Sequence, residues 1–378
     1  MGTSMKMILK QLILTTGLIS GTCAYAGEFT PLGSLDSYSV ALGVNNAGVV
    51  VGYSYSNTSP QIPTLWNGTS MQSLLTDGAL GGVANAINDH NQIAGTLGYG
   101  LFDSKAVKWD NGVASLLSVN GSTITYGMDI NNSGQVVGGS FNGSNLQAIV
   151  WNATSPTMLD TPQGHDSIAY GVNNSGQIAG MAYSDYVGSN YATTWKGNEF
   201  QDLSVPNRIT SATDVNDAGV IVGNSDPTVS KLPTQAAIWD GTKFTELGIL
   251  QGGKDSFAGA INNLNQVVGY GHDETNRAFA LLWDEGQLYN LNDFLDADAK
   301  SQGWVLVTAS DISDTGWVVG MSQNVYTGVY RGYLLSIDGG PVNGGPIPIP
   351  EPETNAMLIA GLGFLAFIGR RRAKAPIA

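Results

Sequence analysis

Three histidines, two pairs of adjacent carboxylates and a recurring acidic turn are the residues with chemical potential in this chain. His90, His165 and His272 lie far apart, and no second ligand stands at metal spacing from any of them. A histidine-based metal site is therefore not expected. Asp273-Glu274 and Asp284-Glu285 are the sort of carboxylates a glycoside hydrolase or lyase uses, but they stand where turns place acids anyway. Two acids converging on one channel would speak for such an enzyme. Asp129-x-Asn131-x-Ser133-Gly134 begins like a calcium loop, with partial echoes at Asp214 and Asp311. No acidic residue closes the loop, and a tight turn asks for the same residues. G-x-S-x-G, H-E-x-x-H and P-loop sequences are absent. The expectation is a protein with no catalytic residues, no cofactor and no bound metal.

The acidic turn belongs to a larger pattern. A phrase of the form I-N-N-S-G-Q-V-V-G starts at Val44, Ile87, Ile130, Val172, Val215, Ile261 and Ile312, with spacings of 43, 43, 42, 43, 46 and 51 residues. Asn and Gly tolerate positive φ in a tight turn, and the β-branched residues that follow suit a strand. The closing glycine of each phrase leaves room where strands crowd. Further along each repeat, an apolar run ends in Trp66, Trp109, Trp151, Trp195, Trp239 or Trp283 and leads into a turn. A third strand carries Leu74, Leu116, Leu159, Leu203, Leu247 and Leu291, and a fourth leads into the next phrase.

Four short strands per unit of about 43 residues predict a β-propeller, and seven units predict seven blades. Phe29-Thr30-Pro31-Leu32-Gly33 nearly copies Phe244-Thr245-Glu246-Leu247-Gly248, while the seventh repeat lacks its last strand. The N-terminal strand is therefore expected to complete the last blade and leave no open edge. The six tryptophans recur at one phase, which predicts packing between blades. Tyrosines near the hairpin after the V-V-G strand, Tyr53, Tyr99, Tyr183 and Tyr270 among them, are the candidates for contact with a glycan. The long interval over 285–311 predicts one short helix from Asn292 to Lys300 on a rim of the ring.

The N-N-x-G-x-V-x-G phrase followed by an apolar-W-x-G strand resembles the HAF-repeat extracellular proteins. Arg277-Ala278-Phe279-Ala280-Leu281-Leu282-Trp283 carries the R/H-A-F element, and the resemblance covers nearly all of residues 29–340. It implies an extracellular repeat protein and supplies no catalytic residues.

The ends give the address. Lys6 and Lys10, the apolar run from Leu12 to Ile19 and Ala24-Tyr25-Ala26 read as a signal peptide over 1–26, cut by signal peptidase between Ala26 and Gly27. The only cysteine, Cys23, leaves with it, so the mature chain has no thiol. A Pro/Gly linker over 341–350 leads to Pro350-Glu351-Pro352, an apolar run from Ala356 to Gly369, and Arg370-Arg371-Arg372. This arrangement over 351–378 is similar to the PEP-CTERM sorting signal. The resemblance implies recognition by an exosortase in a Gram-negative bacterium and export with exopolysaccharide. The apolar run is expected to form a short transmembrane helix with the arginines on the cytoplasmic side. That insertion is transient if the helix is removed, and the chain is a surface anchor if it is kept.

The formal charge of −14 becomes −18 over 27–350, where 10 basic residues face 28 acids. Such a surface repels nucleic acid and anionic lipid. The expectation is an all-β, seven-bladed, non-enzymatic propeller, exported as a structural or binding component of an exopolysaccharide matrix. The alternative is a carbohydrate-active enzyme on the same scaffold.

Overall fold

A computed structural model describes residues 28–338, apart from 57–58, 69, 75–77, 163–164, 185–187, 198, 229–231 and 242, together with Ile347–Pro348. The signal-peptide site at Ala26-Gly27, the sorting motif at Pro350-Glu351-Pro352, the apolar run and Arg370 to Arg372 lie outside the described residues. Among the described residues, no helix is long and apolar enough to cross a membrane.

Each repeat forms an antiparallel four-strand meander. In the third repeat the strands are Ile124–Ile130, Val136–Phe141, Leu146–Asn152 and Ser155–Met158. The first strand leads into the Asn-Asn turn, the second is the V-V-G strand, the third ends in Trp151, and the fourth is short. Burial follows this order. Val136–Phe141 is buried along almost its whole length, because sheets cover it on both faces. The fourth strand of the first repeat, Ser70–Ser73, is exposed throughout and correspondingly polar.

The meanders of the second and third repeats count as one eight-stranded sheet, through a single parallel pairing of Ile124 with Ser104. The sixth repeat gains a fifth strand where Ile347–Pro348 pairs with Gln287 and Leu288. In the last repeat, Trp304–Ile312, Trp317–Asn324 and Tyr330–Ser336 make three strands. Phe29–Pro31 supplies the fourth by pairing with Leu335, Leu334 and Tyr333. The N-terminal strand therefore sits where the sequence places it.

Two details differ from the sequence reading. The buried leucine of the second repeat is Leu117, fully covered, whereas Leu116 is 43% exposed. Every other leucine in this series stands eight residues past its tryptophan, and Leu117 keeps that spacing from Trp109. The insertion holds two short helices in place of one. A 3-10 turn spans Leu291–Phe294 and an α-helix spans Ala297–Ser301, separated by extended backbone at Leu295. Two separate N-caps cause the break: Asn290 accepts from Asn292 N, and Asp296 accepts from Ala299 N at 2.6 Å.

The closing glycines behave as the crowding argument requires. A Cβ on Gly138 would run into the Tyr126 carbonyl, and one on Gly269 into that of Phe257. The neighbouring strand leaves no space for any side chain at these positions.

Candidate functional site

The seven Asn-Asn phrases converge at one end of the molecule on a cavity of about 160 Å³. Its lining is polar, and two sets of hydrogen bonds run around it. Asn45, Asn88, Asn131, Asn173, Asn216 and Asn262 each donate Nδ2 to a backbone carbonyl in the next phrase, at 2.8 to 3.1 Å. One residue further on, a backbone N–H donates to the side-chain oxygen of the next phrase: Asn46 to Asp89, Asp89 to Asn132, Asn132 to Asn174, Asn174 to Asp217, Asp217 to Asn263 and Asn263 to Asp314. Asp314 N then donates to Asn46 Oδ1 at 2.9 Å, so the cycle returns to its start.

These side chains also build their own turns. Asn131 Oδ1 accepts from Ser133 N and Gln135 N, and its amide donates to Gln135 Oε1 and Asn173 O. The loop that resembles a calcium site therefore spends its second ligand position on turn and neighbour contacts. Among the described residues, no cluster of three or more His, Cys, Asp or Glu residues forms that could hold a metal.

Asp129 and Asp311 line this cavity, and Asp214 is buried near enough to both to feel their charges. Each carboxylate joins two sheets through backbone N–H groups. Asp129 accepts from Ile130 and Val172, Asp214 from Val215 and Ile261, and Asp311 from Ile312 and Val44, all at 2.7 to 2.9 Å. Burial pushes the carboxyls of Asp129 and Asp311 up to about 6 and that of Asp214 up to about 8. The negative charge of Asp129 adds to the rise at Asp214 and Asp311, while the N–H donors oppose it.

The tryptophans act between sheets. Trp66 Nε1 donates to Gly33 O, Trp109 to Leu74 O, Trp195 to Asp160 O, Trp239 to Leu203 O and Trp283 to Leu247 O, at 2.7 to 3.2 Å. Each acceptor follows the fourth strand of the preceding repeat. For Trp66 it follows the N-terminal strand in the last sheet. Trp151 is fully buried and its Nε1 has no partner.

A further device escaped the sequence reading. Buried hydroxyls at Thr125, Ser167, Thr210 and Ser256 accept from the backbone N–H of Ala106, Ala148, Ala192 and Ala236 in the preceding repeat. Ser39 accepts from Gly332 across the first and last sheets. The available signal was a Ser or Thr five residues before the phrase.

The remaining candidates are dispersed. Tyr53, Tyr99, Tyr183 and Tyr270 lie on four different sheets. Tyr53 meets Tyr55 edge-on, and Tyr270 stacks on Phe257 at 4.9 Å. Burial raises the phenols of both above their ordinary value. His272 Nδ1 pairs with Asp255 at 2.8 Å, and the ring stands edge-on to Phe257 and Tyr270. Asp273 caps its own turn through Thr275 and Arg277, and Asp284 accepts from Gln266.

Comparison with known proteins agrees with this architecture. The β-propeller domain of the Trilobed protease from Pyrococcus furiosus has 11% identity and a TM-score of 0.56, covering 83% of this chain and 99% of that one. The acylaminoacyl peptidase of Pyrococcus horikoshii has 12% identity and a TM-score of 0.52, over 84% of this chain and 53% of that one. At such identities the likeness is one of fold. The Pyrococcus furiosus domain is described as having an open velcro topology, whereas here the N-terminal strand pairs into the last sheet.

Residues 187–326 match the family model described as "Protein of unknown function (DUF3466)", and residues 348–372 match the PEP-CTERM protein-sorting motif. No curated protein matches the chain. The chain is thus a β-propeller-like, nearly all-β protein that ends in a PEP-CTERM sorting motif. The motif implies processing by an exosortase-type enzyme and is consistent with export to the surface or exterior of a Gram-negative cell.

Proposed function

We propose that this protein is a closed seven-bladed propeller of the HAF-repeat type. It is released through the exosortase route and serves, without catalysis, as a structural or binding component of the exopolysaccharide matrix. The sorting motif at 348–372 is the observation that carries the address. Support for closure comes from the junction of the last sheet with the first. It repeats the bonds used elsewhere: Trp66 to Gly33, Gly332 to Ser39, Val44 to Asp311 and Asp314 to Asn46.

Support for a non-catalytic role comes from the use of the repeated polar groups. The alternative, a carbohydrate-active enzyme, would find a pair of acids, Asp129 and Asp311, at the polar cavity. Yet both oxygens of Asp129, Asp214 and Asp311 are engaged by backbone N–H groups, which leaves a poor general acid or base.

The test is incubation of the purified protein with matrix polysaccharide from the producing culture. Co-sedimentation without release of reducing ends is the expected outcome. Protein left in the supernatant overturns the matrix role, and new reducing ends overturn the non-catalytic one.

A further inference from the structure

A second cavity, of about 380 Å³, is lined mainly by residues that stand two positions before the Asn-Asn phrases. Its volume lies within the usual range of small-ligand sites, about 300–1,000 Å³. The strand that leads into each phrase pairs with the V-V-G strand but skips one residue. The skipped residues are Leu42, Asn85, Met128 and Tyr170 in the first four repeats, and Thr213, Gly259 and Ser310 in the last three. Each skip is a β-bulge, which takes its residue out of the ladder and re-aims the side chain. All but the glycine line the cavity.

The repeat itself builds these bulges. The residue before each skipped one pairs with the closing glycine of the phrase, as Ala41 with Gly52, Gly127 with Gly138 and Ala258 with Gly269. A Cβ on these glycines would strike the carbonyl two residues before the bulge, that of Val40, Tyr126 or Phe257. The glycine thus makes room for the bent strand. The frame hardly varies, since the residue before the bulge is Ala in six repeats and Gly127 in the other. The bulged residue differs in all seven.

This variation gives the cavity two unlike sides. The first four repeats supply Leu42, Met128, Met181 and the Tyr170 ring, with Asn85 as their one amide. The last three supply the hydroxyls of Ser211, Thr213 and Ser310. Asn85 Nδ2 donates to Gly127 O at 2.6 Å, which fixes its Oδ1 as an acceptor. Thr213 Oγ1 donates to Val222 O and Ala258 O, both at 3.3 Å, and keeps its own accepting capacity. Burial raises the Tyr170 phenol above its ordinary value, so it stays a neutral O–H donor.

The lining carries no formal charge. Asp129, Asp214 and Asp311 each follow a bulged residue, but they commit both oxygens to backbone N–H groups and do not line this cavity. A charged ligand would lose its hydration here and meet no counter-ion. A hydrocarbon would leave the hydroxyls and the amide unused.

We propose that this cavity binds one uncharged sugar ring with an apolar edge, of the deoxyhexose kind. Leu42, Met128 and Tyr170 meet the methyl group and ring face, and Ser211, Thr213 and Ser310 meet the hydroxyls. The choice of a sugar among uncharged amphiphiles rests on the matrix reading. The neutrality and the two-sidedness come from the lining alone.

The experiment is isothermal titration of the purified intact protein with methyl glycosides. Those of D-fucose, D-galactose and D-galacturonic acid differ only at C6, and those of L-rhamnose and L-mannose differ likewise. Saturable binding of at least one deoxyhexoside is expected. Its C6-hydroxylated counterpart should bind at least about threefold more weakly, and the galacturonide at least about tenfold more weakly. The variants exchange residues that the bulge already accepts. Ser310→Leu introduces the residue of the first repeat and should weaken deoxyhexoside binding more than about tenfold. Met128→Ser introduces the residue of the seventh repeat and should abolish the preference over the C6-hydroxylated sugar. Far-UV circular dichroism of both should match the parent, and if one variant fails to fold the other decides.

No saturable binding of either deoxyhexoside overturns the proposal. So does a galacturonide that binds as tightly, or a folded variant that binds as the parent does. Co-sedimentation with matrix polysaccharide separates the two claims. Wild type that sediments yet binds neither deoxyhexoside sinks the cavity and leaves the matrix reading standing. Wild type that binds a deoxyhexoside yet stays in the supernatant sinks the matrix reading and leaves the cavity.

Discussion

Trp151 and Trp195 offer a paired test of how the sheets are joined. Both side chains are fully buried at the same phase of their repeats. Trp195 Nε1 donates to Asp160 O at 2.7 Å, whereas Trp151 Nε1 has no partner. Replacing either with Phe removes the same atoms and leaves a similar void, so the packing terms largely cancel. Phe at 195 also retains an aromatic ring beside Phe200, which now meets Trp195 edge-on at 6.2 Å. The remaining difference is the hydrogen bond. Trp195→Phe loses a bond worth about 1 kcal/mol, while Trp151→Phe removes an unsatisfied buried donor that costs about 1–3 kcal/mol. Trp195→Phe should therefore be the more destabilising by about 2 kcal/mol. Urea unfolding followed by circular dichroism measures the gap, provided both variants keep the parental m value. Equal midpoints, or a lower midpoint for Trp151→Phe, would refute the idea that the indole N–H joins neighbouring sheets.

Other predictions follow from the same geometry. The raised carboxyls of Asp129, Asp214 and Asp311 mean that the folded state holds protons the unfolded chain has released. Their contribution to stability is full below the unfolded carboxyl value of about 3.8 and is lost as pH rises through about 6 and then about 8. The melting temperature should fall between pH 5 and pH 9, with a shallower fall in Asp214→Asn; a rise across that window would contradict the assignment. Gly138→Ala should leave little folded protein, because its Cβ collides with the Tyr126 carbonyl, and limited proteolysis reads the loss directly. Deleting residues 28–33 removes the strand paired with Tyr330–Ser336 and the acceptor of Trp66, so size-exclusion chromatography should show aggregation through the exposed edge. Chelation with EDTA should leave the melting temperature unchanged, since Asn131 and its counterparts are spent on turns; a drop reversed by calcium would restore the ion reading.

Much of the fold was legible because each repeat states it again. The turn-forming Asn and Gly, the apolar strand and the tryptophan recur in register, and the N-terminal copy of Phe244 to Gly248 identified the strand that joins the last sheet. The same periodicity exposes the misplacement of Leu116, because the spacing from tryptophan selects Leu117. What stayed hidden depends on contacts between repeats. The Ser and Thr five residues before the phrase look like ordinary strand residues until the sheets are stacked and Thr125 meets Ala106. Asp129, Asp214 and Asp311 were visible as an acidic turn, but their bridging of neighbouring sheets belongs to the assembled sheets. The insertion was recognised by its length.

The central claim concerns an exported propeller released by processing at its C-terminus. Intact-mass spectrometry of the protein from culture supernatant and from membranes tests it most directly. A supernatant form beginning at Gly27 and ending near Pro350 is the predicted result. A chain found only in membranes and still carrying Arg370 to Arg372 would contradict release and make this a tethered surface protein.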